Sequence, residues 1–580
     1  MVPHQTVQTK GGLPIRFEYN VGVEMSDGLG LMVNIFRPDD ELPHPVIITH
    51  GVYGKDVAWQ TAEPYKAAWQ KVSKNIPSLA NSTSGRFLRW EMPDPELWIP
   101  GGYIVIHADS RGSGKTQGFL DRRGPKETQD FKELIEWAAV QPWSNGKVGL
   151  SGISYYASNQ WQVAALQPKG LAAIIPWEGA HDHYRDATHH GGIPSAHFAR
   201  RWFERQCLPN QHGNSASTFI DAVTGRAAVG DALPPELLAG NRRSPAEDVE
   251  LHPLDDAYHG ERTPDLRRIE VPVLSVGNWG GVGLHLRGNI EGYSRAASKE
   301  KWLRVHTGDH FTPFYEPASF DLQKAFFDRY LKGDASAFAD QPPVQLLVRH
   351  PQRPSTWRHE KSWPVPGTNF VRLHLNAADR ALSHAPIGQS SEASYDALTG
   401  GCTFLLPPQA VDAVIIGPLK ARIWVRANSE DSDYFVTLRV LDTDGKDVTF
   451  EGANAPAVPV TSGWLRLSHR RLDAEMTTEW RPYHSHLERE LGTVGETYAL
   501  EIEIWPTSVV VPEGYSLALT VRGSDFEFPH LREPPYTGVF PFLHSDRDPV
   551  VFGNIHTLLT GGDFDSYLQI PLAPAEVENP

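Results

Sequence analysis

The segment "KVGLSGISYYASNQW" (residues 147–161) places Ser154 between an apolar run and an amphipathic run, with a glycine two positions before it. The run "KVGLSG" predicts a buried strand, and the residues after Ser154 predict a helix. A serine at such a strand-to-helix turn is either a strained nucleophile, as in G-x-S-x-G motifs, or an ordinary helix N-cap. Tyr156 replaces the last glycine of that motif, so these residues alone leave both interpretations open.

The sequence on both sides of this turn alternates strands with helices. Apolar runs ending in glycine turns occur at 45–51 ("PVIITHG") and 101–112 ("GGYIVIHADSRG"), as expected for buried parallel strands. Between 128 and 142 the apolar side chains repeat at helical spacing, namely Phe131, Leu134, Ile135 and Ala138. The strand pattern returns at 271–281 and 301–310. This alternation predicts an α/β domain built on a parallel sheet.

The last part of the chain has a different periodicity. The runs "YALEIEIW" (498–505) and "SLALTVRG" (516–523) alternate apolar and polar residues, as half-buried strands do. This pattern predicts an antiparallel β-sandwich, a jelly roll. The predicted regions are 1–183, the first part of the α/β domain; 184–265, a helical cap; 266–350, the second part of the α/β domain; and 351–580, the jelly-roll β domain.

Charge, hydropathy and cysteine usage exclude several classes of protein. The chain has 580 residues, a formal net charge of −16 and no cluster of lysine and arginine, so we expect no nucleic-acid partner. It has no long apolar run and no secretory signal pattern near its first residue, so we expect no membrane association and a cytoplasmic location. The only two cysteines, Cys207 and Cys402, are far apart, which indicates reduced thiols.

Histidine is frequent but shows no metal-binding pattern. The chain has 25 histidines, including the pairs His181/His183 and His189/His190. These pairs lack the spacing of known zinc motifs. The sequence therefore predicts no metal site and no cofactor.

The Ser154 segment is one of several motifs that resemble a known family. The motifs are "GVYGKD" (51–56), "GGYIVIHADSRGSGKTQG" (101–118), "EWAAVQPWSNGKVGL" (136–150), "GISYYASNQWQVAALQP" (152–168), "YRDATHHGG" (184–192) and C-terminal runs such as "PTSVVVPEGYSLAL". Together they are similar to the cocaine esterase / X-prolyl dipeptidyl-peptidase family of serine hydrolases over nearly the whole chain. The resemblance implies an α/β-hydrolase fold with a helical cap insertion and a C-terminal antiparallel β-sandwich (jelly roll).

The resemblance also implies roles for individual residues. Ser154 matches the nucleophile, and the backbone N–H of Tyr155 matches one donor of the oxyanion hole. Tyr53, in "GVYGKD", matches a tyrosine whose hydroxyl supplies the second donor. A phenol held near a developing alkoxide is a preorganised donor, which supports that role.

The catalytic base is expected after the last strand of the sheet. His310 lies there and matches the catalytic histidine of the family, and the triad order Ser, acid, His also places the base last. His306, at the strand end, and His285, which would begin the helix after the preceding strand, are the alternatives. We predict His310 as the base.

The acid of the triad departs from the family pattern. The family has an aspartate where this chain has Gly280, which has no side chain to orient an imidazole. Glu178 is the predicted substitute, because it follows the strand next to that of the nucleophile. Asp182 and Asp309 are the alternative acids. A salt bridge to Arg185 is the non-catalytic role considered for Glu178.

The predicted function is hydrolysis of a small acyl or aryl ester through an acyl-enzyme. The insertion at 56–100 is expected to line the mouth of the site with the cap, and it supplies Trp59, Trp69, Trp90 and Trp98. The expected partner is a small-molecule ester, and a homodimer is the candidate assembly.

Two other functions stay open at this point. An X-prolyl dipeptidyl peptidase or other amide hydrolase would need a carboxylate to bind the substrate amino group, for which Glu91 and Asp182 are candidates. The missing aspartate would also fit a non-catalytic binding protein on a degenerate hydrolase fold.

Overall fold

A computed structural model describes residues 4–63, 65–528, 544 and 547–575. Within these ranges the strands form two eleven-stranded sheets and one two-stranded hairpin. None of the helices described there has the length and apolar content needed to span a bilayer.

The secondary structure divides the chain into an α/β half and a β half. The strands, in chain order, are β1 (His4–Gln8), β2 (Pro14–Glu24), β3 (Gly30–Pro38), β4 (His44–Gly51), β5 (Ile104–Asp109), β6 (Ser144–Ile153), β7 (Leu171–Trp177), β8 (His189–His190), β9 (Ile193–Pro194), β10 (Val273–Asn278), β11 (Lys301–His306), β12 (Val344–Val348), β13 (Thr356–Glu360), β14 (Asn369–Asn376), β15 (Ala381–Ser383), β16 (Ser391–Asp396), β17 (Cys402–Leu405), β18 (Ala413–Arg426), β19 (Asp433–Leu441), β20 (Thr461–Arg466), β21 (Thr497–Val511), β22 (Ser516–Arg522), β23 (Ile555–Thr560) and β24 (Tyr567–Leu572).

The helices are concentrated in the first half. They are α1 (Lys66–Asn75), α2 (Leu79–Ser82), α3 (Pro95–Trp98), α4 (Pro125–Ala139), α5 (Tyr155–Ala165), α6 (Ala196–Trp202), α7 (Pro235–Gly240), α8 (Pro245–Leu251), α9 (Ala257–Gly260), α10 (Leu286–Arg295), α11 (Thr312–Tyr315), α12 (Pro317–Phe327) and α13 (Pro549–Phe552). Single turns of 3-10 or π helix occur at Ile99–Gly101, His183–Thr188, Phe203–Cys207, Leu208–Asn210, Leu266–Arg268, Asp328–Lys332 and Leu467–His469.

The first sheet confirms the predicted α/β architecture. Its strand order is β1-β2-β3-β5-β4-β6-β7-β10-β11-β12-β13, and the strands from β5 to β12 in this order pair in parallel. The predicted face of α4 is buried, as expected for a helix that covers a sheet. The sheet continues to β13, past the boundary that we placed at residue 350. The boundaries of the four predicted regions stay predictions.

Between β7 and β10 the chain leaves the sheet. This segment contains α6 to α9 and the β8–β9 hairpin. Trp202 of α6 contacts the rings of Tyr53 and Tyr155, which follow the carboxyl ends of β4 and β6. The segment therefore reaches the end of the sheet where parallel α/β proteins hold their ligands, and its assignment as a helical cap stays a prediction.

The second sheet closes on itself. Its order is β16-β23-β18-β21-β20-β19-β22-β17-β15-β14-β24, and β24 also pairs with β18, which completes a ring of strands. Along β21 the residues Leu500, Ile502 and Ile504 are buried in its core, so the predicted alternation is confirmed. The more specific assignment as a jelly roll stays a prediction.

A histidine-rich interface joins the two halves. We define it by the buried residues His183, His189, His190, His259, His469, His484, His486 and His544. Across it, Nδ1 of His190 lies 2.8 Å from Nε2 of His544. Arg185 donates a hydrogen bond to the carbonyl of His484 at 2.8 Å. The buried imidazoles thus add to an apolar cluster that also joins the halves, in which Trp279 and Leu286 pack together with Trp464 and Trp505.

We predict that acid weakens this interface. Burial lowers the pKa of His190, His469 and His484 to about 3 each, from an ordinary value of 6.5. Between these pH values the unfolded chain binds more protons than the folded chain, so the free energy of unfolding falls as pH falls below 6.5. At about pH 5.5 the loss is at most about 1.4 kcal/mol per histidine.

Urea unfolding at several pH values measures this dependence. Replacing His469 by glutamine should reduce the slope of stability against pH, because one depressed pKa is removed. The matched control is His359→Gln on β13, an exposed histidine outside the interface. Equal slopes in the wild type and the His469 variant would contradict the prediction.

Candidate active site

Ser154 lies at a strained turn between β6 and α5. Its backbone has φ 59° and ψ −109°, a conformation that non-glycine residues rarely adopt outside functional sites. Gly152 permits the turn, because a Cβ there would lie 2.5 Å from the Cβ of Tyr156. The Ser154 side chain makes no capping hydrogen bond to α5. The hydroxyl is therefore not used as a helix cap.

The hydroxyl of Ser154 has a histidine as its partner. Its Oγ lies 3.2 Å from Nε2 of His285. His285 is the N-cap residue of α10, so its ring is placed by the start of that helix. The structure thus brings His285, considered above as an alternative, to hydrogen-bonding distance from the Ser154 hydroxyl. The selection of His310 as the base stays a prediction.

His310 and Glu178 form a second pair beside the first. The rings of His310 and His285 stack with centroids 5.2 Å apart and an interplanar angle of 3°. Nδ1 of His310 lies 2.6 Å from Oε2 of Glu178, and Nε2 lies 3.3 Å from Oε1 of Glu91. The same Oε2 of Glu178 is 4.0 Å from Nδ1 of His285. The predicted acid therefore lies next to both imidazoles.

The two carboxylates give the two rings different charges. Burial by itself lowers the pKa of His310, but Glu178 and Glu91 outweigh it and raise that pKa to about 10. His310 is therefore an imidazolium at neutral pH. Burial, together with the charge on His310, holds the pKa of His285 well below its ordinary value. His285 is neutral, so its Nε2 can accept the Ser154 proton.

Both predicted oxyanion donors are available. Tyr155 is the first residue of α5, so its N–H is one of the helix amides without an intrahelical acceptor. The hydroxyl of Tyr53 accepts a hydrogen bond from Nε1 of Trp202 at 2.9 Å, and no residue in the described ranges accepts its own proton. Tyr53 and Ser154 line the same cavity. Their roles as donors stay predictions.

Gly280, at the position of the family's aspartate, has no room for a side chain. A Cβ there would lie 2.6 Å from the Cα of Gly452 and 2.8 Å from the backbone nitrogen of Ala453. The Ala453 N–H also donates to the carbonyl of Gly280 at 3.1 Å. A loop of the β half thus occupies the space that an aspartate would need.

The alternative acids are engaged elsewhere. Asp182 caps the turn at His183–Thr188 and pairs with Nη1 of Arg185 at 3.1 Å. Arg185 therefore does not form the salt bridge to Glu178 that we considered. Asp309 lines the cavity but accepts hydrogen bonds from two backbone N–H groups that follow it. Of the three acids considered for the triad, Glu178 is therefore the one in contact with the histidine pair.

Ser154 faces a cavity of about 520 Å³. Among the four tryptophans expected at its mouth, Trp90 lines it, and Trp59 packs behind Trp90 with centroids 5.8 Å apart. Side chains of α1 and of the segment between β7 and β10, together with residues 452–456 of the β half, complete the wall; the lining residues include Ala67, Ala68, Lys71, Phe198, Arg201, Trp202, Arg205, Gln206, Leu284 and Phe311. The site is therefore assembled from both halves of the chain.

The sequence did not predict residues 452–456 as part of this wall. It also offered His285 and Glu91 only as alternatives. Nothing in the pattern of residues 452–456 indicates an active-site loop, since it follows a strand of the other domain. The segment "GVGLHLRGN" did indicate a site for His285. It is a glycine-rich turn between a strand and a helix, and such a turn places its side chains at the end of the strand. Glu91 has φ 61°, and its carbonyl accepts a hydrogen bond from Ile153, next to the nucleophile.

Glu178, His285 and His310 are residue types that bind metal ions, and they lie close together. One ligand atom each of Glu178, His285 and His310 lies within 4.8 Å of the others. Ligands of a tetrahedral zinc ion lie roughly 3.4 Å apart, given metal bonds of about 2.1 Å. The 2.6 Å contact between Glu178 and His310 is instead a direct hydrogen bond. Glu178 and His310 therefore bond directly to each other, and the absence of a metal stays a prediction.

Comparisons with known proteins cover both halves. Residues 27–312 match the family described as X-Pro dipeptidyl-peptidase (S15 family), and residues 336–569 match the X-Pro dipeptidyl-peptidase C-terminal non-catalytic domain. A crystal structure of a CocE/NonD family hydrolase from Staphylococcus aureus is similar with a TM-score of 0.85 and 32% identity, covering 99% of this chain and 97% of that one.

Two curated proteins with different activities are also similar. The cocaine esterase of Rhodococcus sp. is 24% identical over 87% of this chain and 90% of its own length. A putative Xaa-Pro dipeptidyl-peptidase of Streptomyces avermitilis is 21% identical over 78% of this chain and 71% of its own. The similarity therefore extends to a relative named as an esterase and to one named as a putative peptidase.

We predict that the family's aspartate cannot be restored at its usual position. In Gly280→Asp the new Cβ meets the backbone of Gly452, so one of the two segments must move. We expect a loss of stability of about 1–3 kcal/mol, measured by thermal unfolding. The control is Gly260→Asp on α9, where a Cβ meets nothing within 4 Å. A Gly280→Asp variant as stable as the wild type would contradict the prediction.

Proposed function

Because the chain belongs to the CocE/NonD X-Pro dipeptidyl-peptidase-like family of serine hydrolases, we propose that it hydrolyses carboxylic esters through an acyl-enzyme on Ser154. The observation that carries the proposal is the strained Ser154 turn, whose Oγ lies 3.2 Å from Nε2 of His285 in a cavity of about 520 Å³. The aromatic side chains of Trp90, Trp202 and Phe311 line that cavity, which suits a small acyl or aryl ester. In this proposal residues 184–265 act as a helical cap.

The proposed reaction has two stages. Ser154 Oγ attacks the ester carbonyl carbon while its proton passes to a histidine. The oxyanion of the tetrahedral intermediate is held by the N–H of Tyr155 and the hydroxyl of Tyr53. The alcohol leaves with the proton from the histidine, and the acyl-enzyme forms. Water, activated by the same histidine, then releases the carboxylic acid and regenerates Ser154.

The geometry supports His285 as the histidine that moves the proton. It lies next to Ser154 and is neutral. His310, which the sequence predicts as the base, holds its proton between two carboxylates. A group that is already protonated cannot act as a general base. We therefore propose His285 as the base and His310 as a positioning residue that stacks against it.

Glu178 serves both rings in this scheme. Its Oε2 lies on the Nδ1 side of His285, 4.0 Å away, and accepts the short hydrogen bond from His310. When His285 takes the Ser154 proton, the buried carboxylate stabilises the new positive charge. This is the role of the triad acid, supplied from the end of β7.

Amide hydrolysis is the second candidate, and Glu91 favours it. Its carboxylate lines the cavity and is buried, and burial raises the pKa of this residue to about 7. A carboxylate in this place could bind the amino group of a peptide or amino-acid substrate. Asp182, the other candidate for that role, is paired with Arg185 and does not line the cavity.

The test of the proposal is covalent labelling followed by a substrate panel. We expect a fluorophosphonate probe to label the wild type and Ser154→Ala to lose both label and turnover, by about 10⁴-fold or more in kcat. The control is Ser151→Ala, since Ser151 is buried within β6. Failure of the wild type to label would instead indicate a non-catalytic binding protein, and label surviving in Ser154→Ala would move the nucleophile elsewhere.

The panel separates the two candidate activities. p-Nitrophenyl acyl esters of increasing chain length are compared with an X-Pro p-nitroanilide. Hydrolysis of the esters alone supports the first candidate. Efficient cleavage of the anilide, weakened by Glu91→Gln more than ester cleavage is, would favour the second.

The pH dependence of labelling identifies the base. If His285 is the base, the labelling rate is constant from about pH 7 to 9, because its pKa lies well below its ordinary value. If His310 is the base, the rate rises about tenfold per pH unit over that range, because its pKa is about 10. We expect the flat profile, and His285→Gln should abolish labelling. A rising profile would return the role to His310.

A further inference from the structure

Two arginines of the cap line the cavity without a partner. Arg201 lies in α6 and Arg205 in the following turn, Phe203–Cys207. Residues four apart in helical segments lie on the same side, so the two side chains extend from the same side of this segment. Both side chains are exposed and line the cavity of Ser154. Neither forms a hydrogen bond or an ion pair with any other residue of the described ranges.

The other charged side chains of the cavity are compensated. Lys71 lies 2.7 Å from Glu451 and 3.6 Å from Asp309. Glu91 lies 3.3 Å from His310. The chain as a whole carries a formal net charge of −16. The unpaired positive charge beside Ser154 is therefore opposite in sign to the net charge of the protein. Among the described residues that line this cavity, the arginine pair is the charge without a counter-ion.

The acidic residue nearest in sequence does not neutralise the pair. Glu204 precedes Arg205 directly and is exposed, but it does not line the cavity. It forms no ion pair with either arginine. Two guanidinium groups on one wall are therefore available to a ligand.

We propose that Arg201 and Arg205 bind a carboxylate group of the substrate, so that the natural substrate is an anionic ester. This inference rests on the proposed ester hydrolysis. Guanidinium groups bind carboxylates through paired, charge-assisted hydrogen bonds. The aromatic rings of Trp90, Trp202 and Phe311 line the same cavity. The substrate class is thus an ester whose carboxylate is separated from the scissile bond by an apolar or aromatic spacer.

Two matched pairs of esters test the proposal. In the first pair the carboxylate is on the acyl side: p-nitrophenyl hydrogen adipate against p-nitrophenyl hexanoate. In the second it is on the leaving group: 4-acetoxybenzoate against its methyl ester. The ratio of kcat/KM for the anionic and the neutral ester is measured in the wild type and in the double variant Arg201→Gln/Arg205→Gln. Comparing ratios removes differences in intrinsic reactivity.

We expect the ratio to fall about 10-fold in the double variant for at least one pair, because two charge-assisted contacts are lost. The wild-type ratio should also fall as salt is raised, since exposed charges are screened. The control is Arg226→Gln, an exposed arginine of the cap segment that does not line the cavity, and it should keep the wild-type ratio.

The outcomes separate this inference from the proposed function. Unchanged ratios for both pairs, with the neutral esters turned over, would overturn the carboxylate site and leave the esterase intact. No turnover of any of the four esters by the wild type would overturn ester hydrolysis itself, and the inference with it. A ratio that falls equally in Arg226→Gln would assign the effect to net charge and overturn the site.

Discussion

The buried carboxylate of Glu178 is the constraint on which the proposed catalytic arrangement depends. An ion taken out of water costs several kcal/mol unless a counter-ion lies in contact. His310 supplies that counter-ion at 2.6 Å and is thereby fixed as a cation. Burial, together with the positive charge on His310, keeps the stacked His285 neutral, and the neutral ring is the one beside Ser154. Burial and one ion pair therefore give two adjacent histidines different protonation states.

The position of this carboxylate follows from the packing of the two halves. The family's aspartate would lie at Gly280, just after β10, but the backbone of Gly452 and Ala453 fills that space. Glu178 follows β7, which is the neighbour of β10 in the sheet, with Trp177 paired to Val276. Moving the acid by one strand keeps it at the same edge of the sheet. The histidines therefore lie beside a carboxylate that follows β7, whereas the family's aspartate would follow β10.

The structural features that could be predicted from the sequence are those that depend on a local pattern of residues. Alternation of apolar runs and helical spacing was enough for the parallel sheet, and the glycine before Ser154 indicated the strained turn. The sequence also placed Glu178 beside His310, because both follow strands of one sheet. It could not place His285 against Ser154, since that contact depends on a glycine-rich turn held by the β half. The wall at residues 452–456 was out of reach, because nothing local links it to the site.

The β half contributes to the chemistry although it supplies none of the proposed reacting groups. His285 is the N-cap of α10, and Arg287, two residues on, pairs with Glu503 of β21 at 3.0 Å and with Asp186 at 2.9 Å. The Ala453 carbonyl accepts a hydrogen bond from the backbone N–H of His310 at 3.0 Å. Both imidazoles are thus anchored through contacts with the second half. A displacement of about 1 Å between reacting groups costs orders of magnitude in rate, so the two halves work as one enzyme.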